Sequence, residues 1–165
     1  MKDLSKFAEQ ALARAKEKYD LYGTSLRDYT QTGLATLVYI RLQELRQEKD
    51  SRLRKFLCMD ILNYSAYFCK VIPWMAPLSV IGEITGGVEN LCAFTERRTA
   101  KLNLNKKIVN ADFFFESLLV RQVRIENILS KGLEDDVSED PLHDQIFDAG
   151  GYALLLGNEL QKETK

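Results

Sequence analysis

Met59-Asp60-Ile61-Leu62-Asn63-Tyr64-Ser65-Ala66-Tyr67 decides the fold once it is set beside Phe147-Asp148-Ala149-Gly150-Gly151-Tyr152-Ala153-Leu154-Leu155. In each stretch a tyrosine follows an aspartate by four residues, so the two side chains share one helix face, a turn apart. Outward from the first stretch, Leu57, Ile61, Tyr64 and Phe68 keep the three-to-four spacing of a helix buried along one side, and the spacing predicts a helix from about Ser51 to Val71. Pro73 and Pro77 then break it. An apolar helix carrying arginine precedes each stretch: Val38-Tyr39-Ile40-Arg41-Leu42 before the first, Val120-Arg121-Gln122-Val123-Arg124-Ile125 before the second.

The remaining periodicity is helical as well. Leu4, Phe7, Ala8, Ala11, Leu12, Ala15, Tyr19 and Tyr22 form one stripe, closed by Gly23, whose backbone suits a left-handed cap. A second helix is expected from about Gly33 to Lys49, with Leu34, Leu37, Val38 and Leu45 inward. After Gly86-Gly87, helices are expected over roughly 88–104 and 111–131, joined by residues 105–110. Asp140 followed by Pro141 reads as an N-cap with proline at the first helical position, opening a last helix to about Gln161. No alternation of strand type persists. The fold class is therefore all-α, a bundle of about six to seven helices built from two related three-helix halves: residues 1–72 and 86–165, with a proline-containing connection at 73–85, packed as one globular unit. The repetition of the order reads as a diverged internal duplication.

Of 165 residues, 45% are hydrophobic and 28% charged, enough apolar chain for a real core. The net charge of -1 gives no basic excess, so there is no strong nucleic-acid footprint. Cys58, Cys69 and Cys92 lack CxxC spacing and sit in apolar stretches, as buried reduced thiols do. The first residues enter a charged amphipathic helix without the apolar core of a signal peptide. The apolar run from Phe56 to Gly82 is interrupted by Asp60, Asn63, Lys70, Pro73 and Pro77, which a membrane span would not carry. A cytoplasmic protein is expected, with no membrane partner.

Several polar residues do not fit a plain core. Arg41 falls on the stripe Leu34-Leu37/Val38-Arg41-Leu45, and Asp60 on Leu57-Asp60/Ile61-Tyr64-Phe68. Arg121 lies on Phe114-Leu118-Arg121-Ile125-Ile128, while Asp144, Asp148 and Tyr152 follow one another at four-residue steps. A charge in apolar surroundings is paired, hydrogen-bonded or metal-bound, because bare burial costs too much. Two readings follow. In one, the arginine of one helix meets the aspartate of the next, once per half, fixing helix register. In the other, the same groups line an anion pocket, with arginines on phosphate and Asp144 with Asp148, joined by Glu126, on a divalent cation. Gly150 and Gly151 inside the last helix imply close approach by a neighbouring helix or a ligand. His143 is the single histidine, which excludes multi-histidine metal sites, and no glycine-rich phosphate loop, GxSxG or zinc spacing occurs. The acidic stretch 134–140 lacks the EF-hand pattern and reads as a solvated loop suited to a basic partner.

Tyr22-Gly23-Thr24-Ser25-Leu26, then Gly33-Leu34-Ala35-Thr36-Leu37-Val38, then Asp60-Ile61-Leu62-Asn63-Tyr64 resembles the nucleotide modification associated domain family of bacteria and phages. The stretches 118–129 and 139–152 resemble the same family's second and third helices. The first half has Phe56 where the family's earlier aspartate would fall, and the second has Asn103-Leu104-Asn105 in place of the Tyr-Gly turn. The family is also similar to all-helical nucleotide pyrophosphohydrolases of the MazG type, which hold magnesium with clustered acidic residues. Their dense Glu-x-x-Glu pairs are missing from this chain, which weighs against hydrolysis.

The resemblance implies a phage or bacterial protein, in a bacterial or infected host cell, that binds a nucleotide or modified nucleotide. Arg121, Arg124 and Arg41 would take phosphate, Tyr22 or Tyr152 would bound the base, and Asp144, Asp148 and Asp60 are the candidate ligands for Mg. Hydrolysis through metal-activated water is the reaction this would support. The competing expectation is a non-enzymatic interaction or inhibitor protein on a degenerate copy of the fold, with a protein partner. A structural homodimer is the third.

Overall fold

A computed structural model describes residues 4–22, 25–70, 79–132 and 141–163. Among the described residues there are six α-helices: α1 (Ser5–Tyr22), α2 (Gln31–Gln47), α3 (Ser51–Phe68), α4 (Val80–Leu102), α5 (Ala111–Ser130) and α6 (Pro141–Glu163), with a 3-10 turn at Ser25–Asp28. No strand occurs among the described residues. Among the described residues no helix is long and apolar enough to cross a membrane.

Short polar side chains set where the helices begin. Thr30, Asp50, Ser79 and Asn110 each accept a backbone N–H from the first turn of α2, α3, α4 and α5, satisfying donors that have no partner inside the helix. Pro141 is the first residue of α6, as expected of a residue that lacks the N–H otherwise left orphaned there. Its expected N-cap Asp140, the expected cap Gly23, and both Pro73 and Pro77 lie outside the described residues.

One helix start differs from expectation. α4 begins at Val80, inside the stretch read as a connection, and runs through Gly86-Gly87. The glycine pair reads as a breaker in sequence, yet Gly87 is where α4 crosses α3. A Cβ there would overlap the Ala66 backbone. Close approach of two helices is the reason for glycine, and the cap at Ser79 offsets its poor helix propensity.

α3 and α6 form the centre. Every residue from Cys58 to Phe68 is buried, as are Ala153 to Asn158 in α6. Gly150 allows this contact: a Cβ there would sit 2.9 Å from Ser65 Cβ and from Leu91. Neighbouring Gly151 has more room, 3.4 Å from Thr95. The other contacts come in counterparts. α2 on α3 matches α5 on α6, α1 on α3 matches α4 on α6, and α3 on α4 matches α6 on α1, though unequally in extent. One hydrophobic core draws on all of these helices.

Candidate functional site

The centre of each half is an arginine from one helix meeting an aspartate from the next. Arg41 Nε of α2 lies 3.6 Å from Asp60 Oδ2 of α3. Arg121 Nε of α5 lies 3.5 Å from Asp148 Oδ2 of α6. In both, the guanidinium also stands over the tyrosine one turn beyond the aspartate: Arg41 is 5.7 Å from the Tyr64 ring and Arg121 is 5.4 Å from the Tyr152 ring. The off-pattern charges of the two stripes are therefore partners. Both Nε atoms are buried and make no hydrogen bond among the described residues, because the ion-pair separations exceed hydrogen-bond length.

Around this common arrangement the two pairs differ in surroundings. Asp60 is 6% exposed and receives two further cations from α1. Arg14 donates to it through Nε at 3.0 Å and through the second guanidinium nitrogen at 3.4 Å. Lys18 Nζ stands 3.8 Å away and donates to the Tyr64 hydroxyl at 3.0 Å. Arg41 also donates to Glu44 at 2.7 Å. Buried Tyr19 lies in the same neighbourhood, and its hydroxyl is pushed well above the phenol range by burial first, then by Tyr64 and Asp60. Arg14 and Lys18 are absent from the sequence-predicted set. They flank the α1 stripe at i, i+4, a position where cations are ordinarily solvated, so only their spacing relative to Ala11, Ala15 and Tyr19 signals them.

The second half replaces this cationic surround with an aromatic cavity. A space of ≈ 220 Å³ is walled by Phe94 and Arg98 of α4, Phe113 of α5, and Phe147, Asp148 and Tyr152 of α6. Phe94 meets Phe147 edge-on at 5.0 Å, and Phe113 meets Tyr152 edge-on at 6.2 Å, both favourable quadrupole geometries. Asp148 stays 32% exposed in this wall while Arg121, held against it and against Tyr152, is 14% exposed. Phe94, Phe113, Phe147 and Arg98 are also missing from the sequence-predicted set. They come from three separate helices, and nothing in linear spacing brings them together.

The other expected residues are dispersed. Arg124 and Asp144 are exposed, on α5 and in the first turn of α6, as is Glu126. The Tyr22 side chain lies outside the described residues. Asp60 and Asp148 sit in different halves, each already matched by guanidinium, and no three His, Cys, Asp or Glu side chains converge among the described residues. This donor set does not fit a divalent ion, whose oxygen ligands must gather several carboxylates or carbonyls at one point.

Comparison with protein-family models, with curated proteins and with solved structures matches none of them. The likeness to the nucleotide modification associated domain family therefore rests on the quoted motifs alone.

Proposed function

We propose that the chain binds a small ligand combining a flat ring with an anionic group, a nucleotide or modified nucleotide being the type that fits best. The observation that carries this reading is the aromatic cavity with Asp148 in its wall, that carboxylate being paired with Arg121 outside the lining. An apolar cavity of about 150 Å³ accepts a benzene ring, so ≈ 220 Å³ suits a somewhat larger flat heterocycle. Tyr152 and Phe113 supply ring faces and edges, and the half-buried Asp148 carboxylate is an acceptor for exocyclic N–H groups. Arg98, exposed at the wall, offers a guanidinium to phosphate. Binding rather than a stated reaction is the function supported.

The test is thermal denaturation with a panel of nucleosides and nucleotides, each with and without magnesium. A ligand at a hundredfold its Kd adds about 2.7 kcal/mol to the folded state, on the order of 5–10 °C for a chain of this size. The shift should vanish in Asp148→Asn and shrink in Phe113→Ala. A panel that leaves the wild-type Tm unmoved sinks the reading.

A second reading is favoured by one feature of α5. Val120 and Val123 are 43% and 48% exposed, close together on its outer surface. Such an uncovered apolar strip suits a protein partner or a second copy. Sedimentation or light scattering across a concentration series separates it from the first, since ligand binding needs no association.

A further inference from the structure

The cations around Asp60 outnumber what Asp60 can balance. Arg14, Lys18 and Arg41 all lie within 4 Å of one carboxylate. Next to them, the Phe56 ring is flanked by Arg14 at 5.0 Å, Lys55 at 5.7 Å and Arg52 at 6.0 Å. In a chain of net charge -1, five cations thus gather on one face of α1 and α3 with one residue from α2. Carboxylates stand among them: Asp60 meets three cations, Glu44 pairs with Arg41, and Glu48 accepts the backbone N–H groups of Lys49 and Asp50, while Glu17 and Asp20 share a neighbouring groove with Arg14, Lys55 and Phe56.

This cluster is built, and it is open. Asp60 sits beneath it, nearly closed to solvent, and orders the three head groups, whose side chains stay 38%, 27% and 25% exposed for Arg14, Lys18 and Arg41. Arg14, Lys18, Arg41 and Phe56 wall a groove of ≈ 600 Å³ whose lining also holds the carboxylates of Asp60, Glu44 and Glu48. The carboxylates match these cations in number, so what favours an anion here is fixed geometry: donors already ordered by a buried anchor lose little freedom on binding one. Guanidinium groups recognise phosphoryl oxygens by paired hydrogen bonds, and an ammonium adds a point charge.

We propose that this groove is a second ligand site, distinct from the aromatic cavity, that takes a phosphate or polyphosphate anion on Arg14, Lys18 and Arg41, with Asp60 as the positioning residue beneath them. The phosphate is recognised by charge and geometry, so the site needs no base or sugar. Phe56 closes one side and limits the water around the anion.

Titration calorimetry with sodium tripolyphosphate and pyrophosphate tests it, in EDTA and against sodium chloride of equal ionic strength. Tripolyphosphate binds one equivalent, more tightly than pyrophosphate, and weakens as salt rises. Arg14→Gln and Lys18→Gln, at partly exposed positions, each weaken it about tenfold, the scale of one charge-assisted hydrogen bond. Glu44→Gln, which frees Arg41 from its competing partner, tightens it, an effect that loss of folding cannot imitate. Asp148→Asn leaves it unchanged, so failure here is distinct from failure of the aromatic cavity. Absence of heat beyond the chloride control, or equal affinity in the Arg14→Gln/Lys18→Gln double variant, overturns the proposal.

Discussion

Arg121 Nε and Asp148 Oδ2 stand 3.5 Å apart across the α5–α6 contact, and the same two residue types repeat the arrangement at 3.6 Å across α2–α3, as Arg41 and Asp60. Each pair has its own tyrosine, Tyr64 or Tyr152, but the two differ in dielectric setting. Asp60 is closed off and triply matched, whereas Asp148 keeps a third of its surface and one cation.

That difference sets unequal costs for removing each carboxylate. Breaking a buried pair by deleting one partner costs about 3–5 kcal/mol when the other charge stays sealed. Arg14, Lys18 and Arg41 retain solvent access, which discounts the figure, so Asp60→Asn should cost about 2–3 kcal/mol in urea denaturation. Asp148→Asn should cost about 1 kcal/mol or less, its pair being partly exposed. Equal costs for the two would contradict the difference in burial.

Adjacent glycines of α4 give opposite signs. At Gly86 an added Cβ meets nothing within 4 Å, so Gly86→Ala should gain the helix propensity difference, about 0.5–1 kcal/mol. At Gly87 the same methyl strikes the Ala66 backbone, which cannot yield without moving α3. Gly87→Ala should destabilise by about 1–3 kcal/mol, the range for overpacking. Paired melting curves check both, and a gain at Gly87 would mean α3 and α4 lie farther apart than described.

Much of this architecture is readable in the chain, for a physical reason. Helix periodicity survives single charges, so Arg41, Asp60 and Arg121 stand out as exceptions on apolar stripes, and the cost of bare burial compels them to find partners. Reading fails where the decisive quantity is the distance between helices. Gly87 is a breaker in isolation and a contact in place. Arg14 and Lys18 look like the solvated edge of α1 until α3 brings Asp60 beneath them. Phe94, Phe113 and Phe147 are ordinary core aromatics in sequence, and become cavity walls only because α4, α5 and α6 leave a gap between them.

Alkaline pH should weaken the fold. Burial pushes the Cys58 thiol up against a smaller opposing pull from Arg54, and burial with Tyr64 and Asp60 pushes the Tyr19 hydroxyl up. Both groups have folded-state pKa values above their unfolded ones. Their contribution is therefore complete below the unfolded pKa, about 8.5 for thiol and 10 for phenol, and is lost as pH climbs from there towards the folded value. Tm should fall steadily between pH 8 and pH 11, and Tyr19→Phe should flatten the part of the fall above about pH 10. A Tm that is level across the range rules the assignment out.

Gln122 supplies the polar clasp between α2 and α5, and its removal measures how strongly the halves hold each other there. It is 2% exposed, accepts from Arg46 Nε at 2.7 Å and donates through its amide to Gln43. Arg46 also donates to the Leu119 carbonyl at 3.3 Å, so its guanidinium spans a turn of α5. Gln122→Ala deletes a hydrogen bond to a charged group and leaves a small void, at a cost of about 2 kcal/mol. Arg46 is exposed and regains water when its partner goes, so Arg46→Ala alone should cost less, about 1 kcal/mol, but strand the Gln122 amide oxygen. The double variant should therefore cost less than the sum of the two, leaving a coupling energy of about 1 kcal/mol. Strict additivity in that cycle would mean that the Arg46–Gln122 hydrogen bond contributes nothing to the α2–α5 attachment.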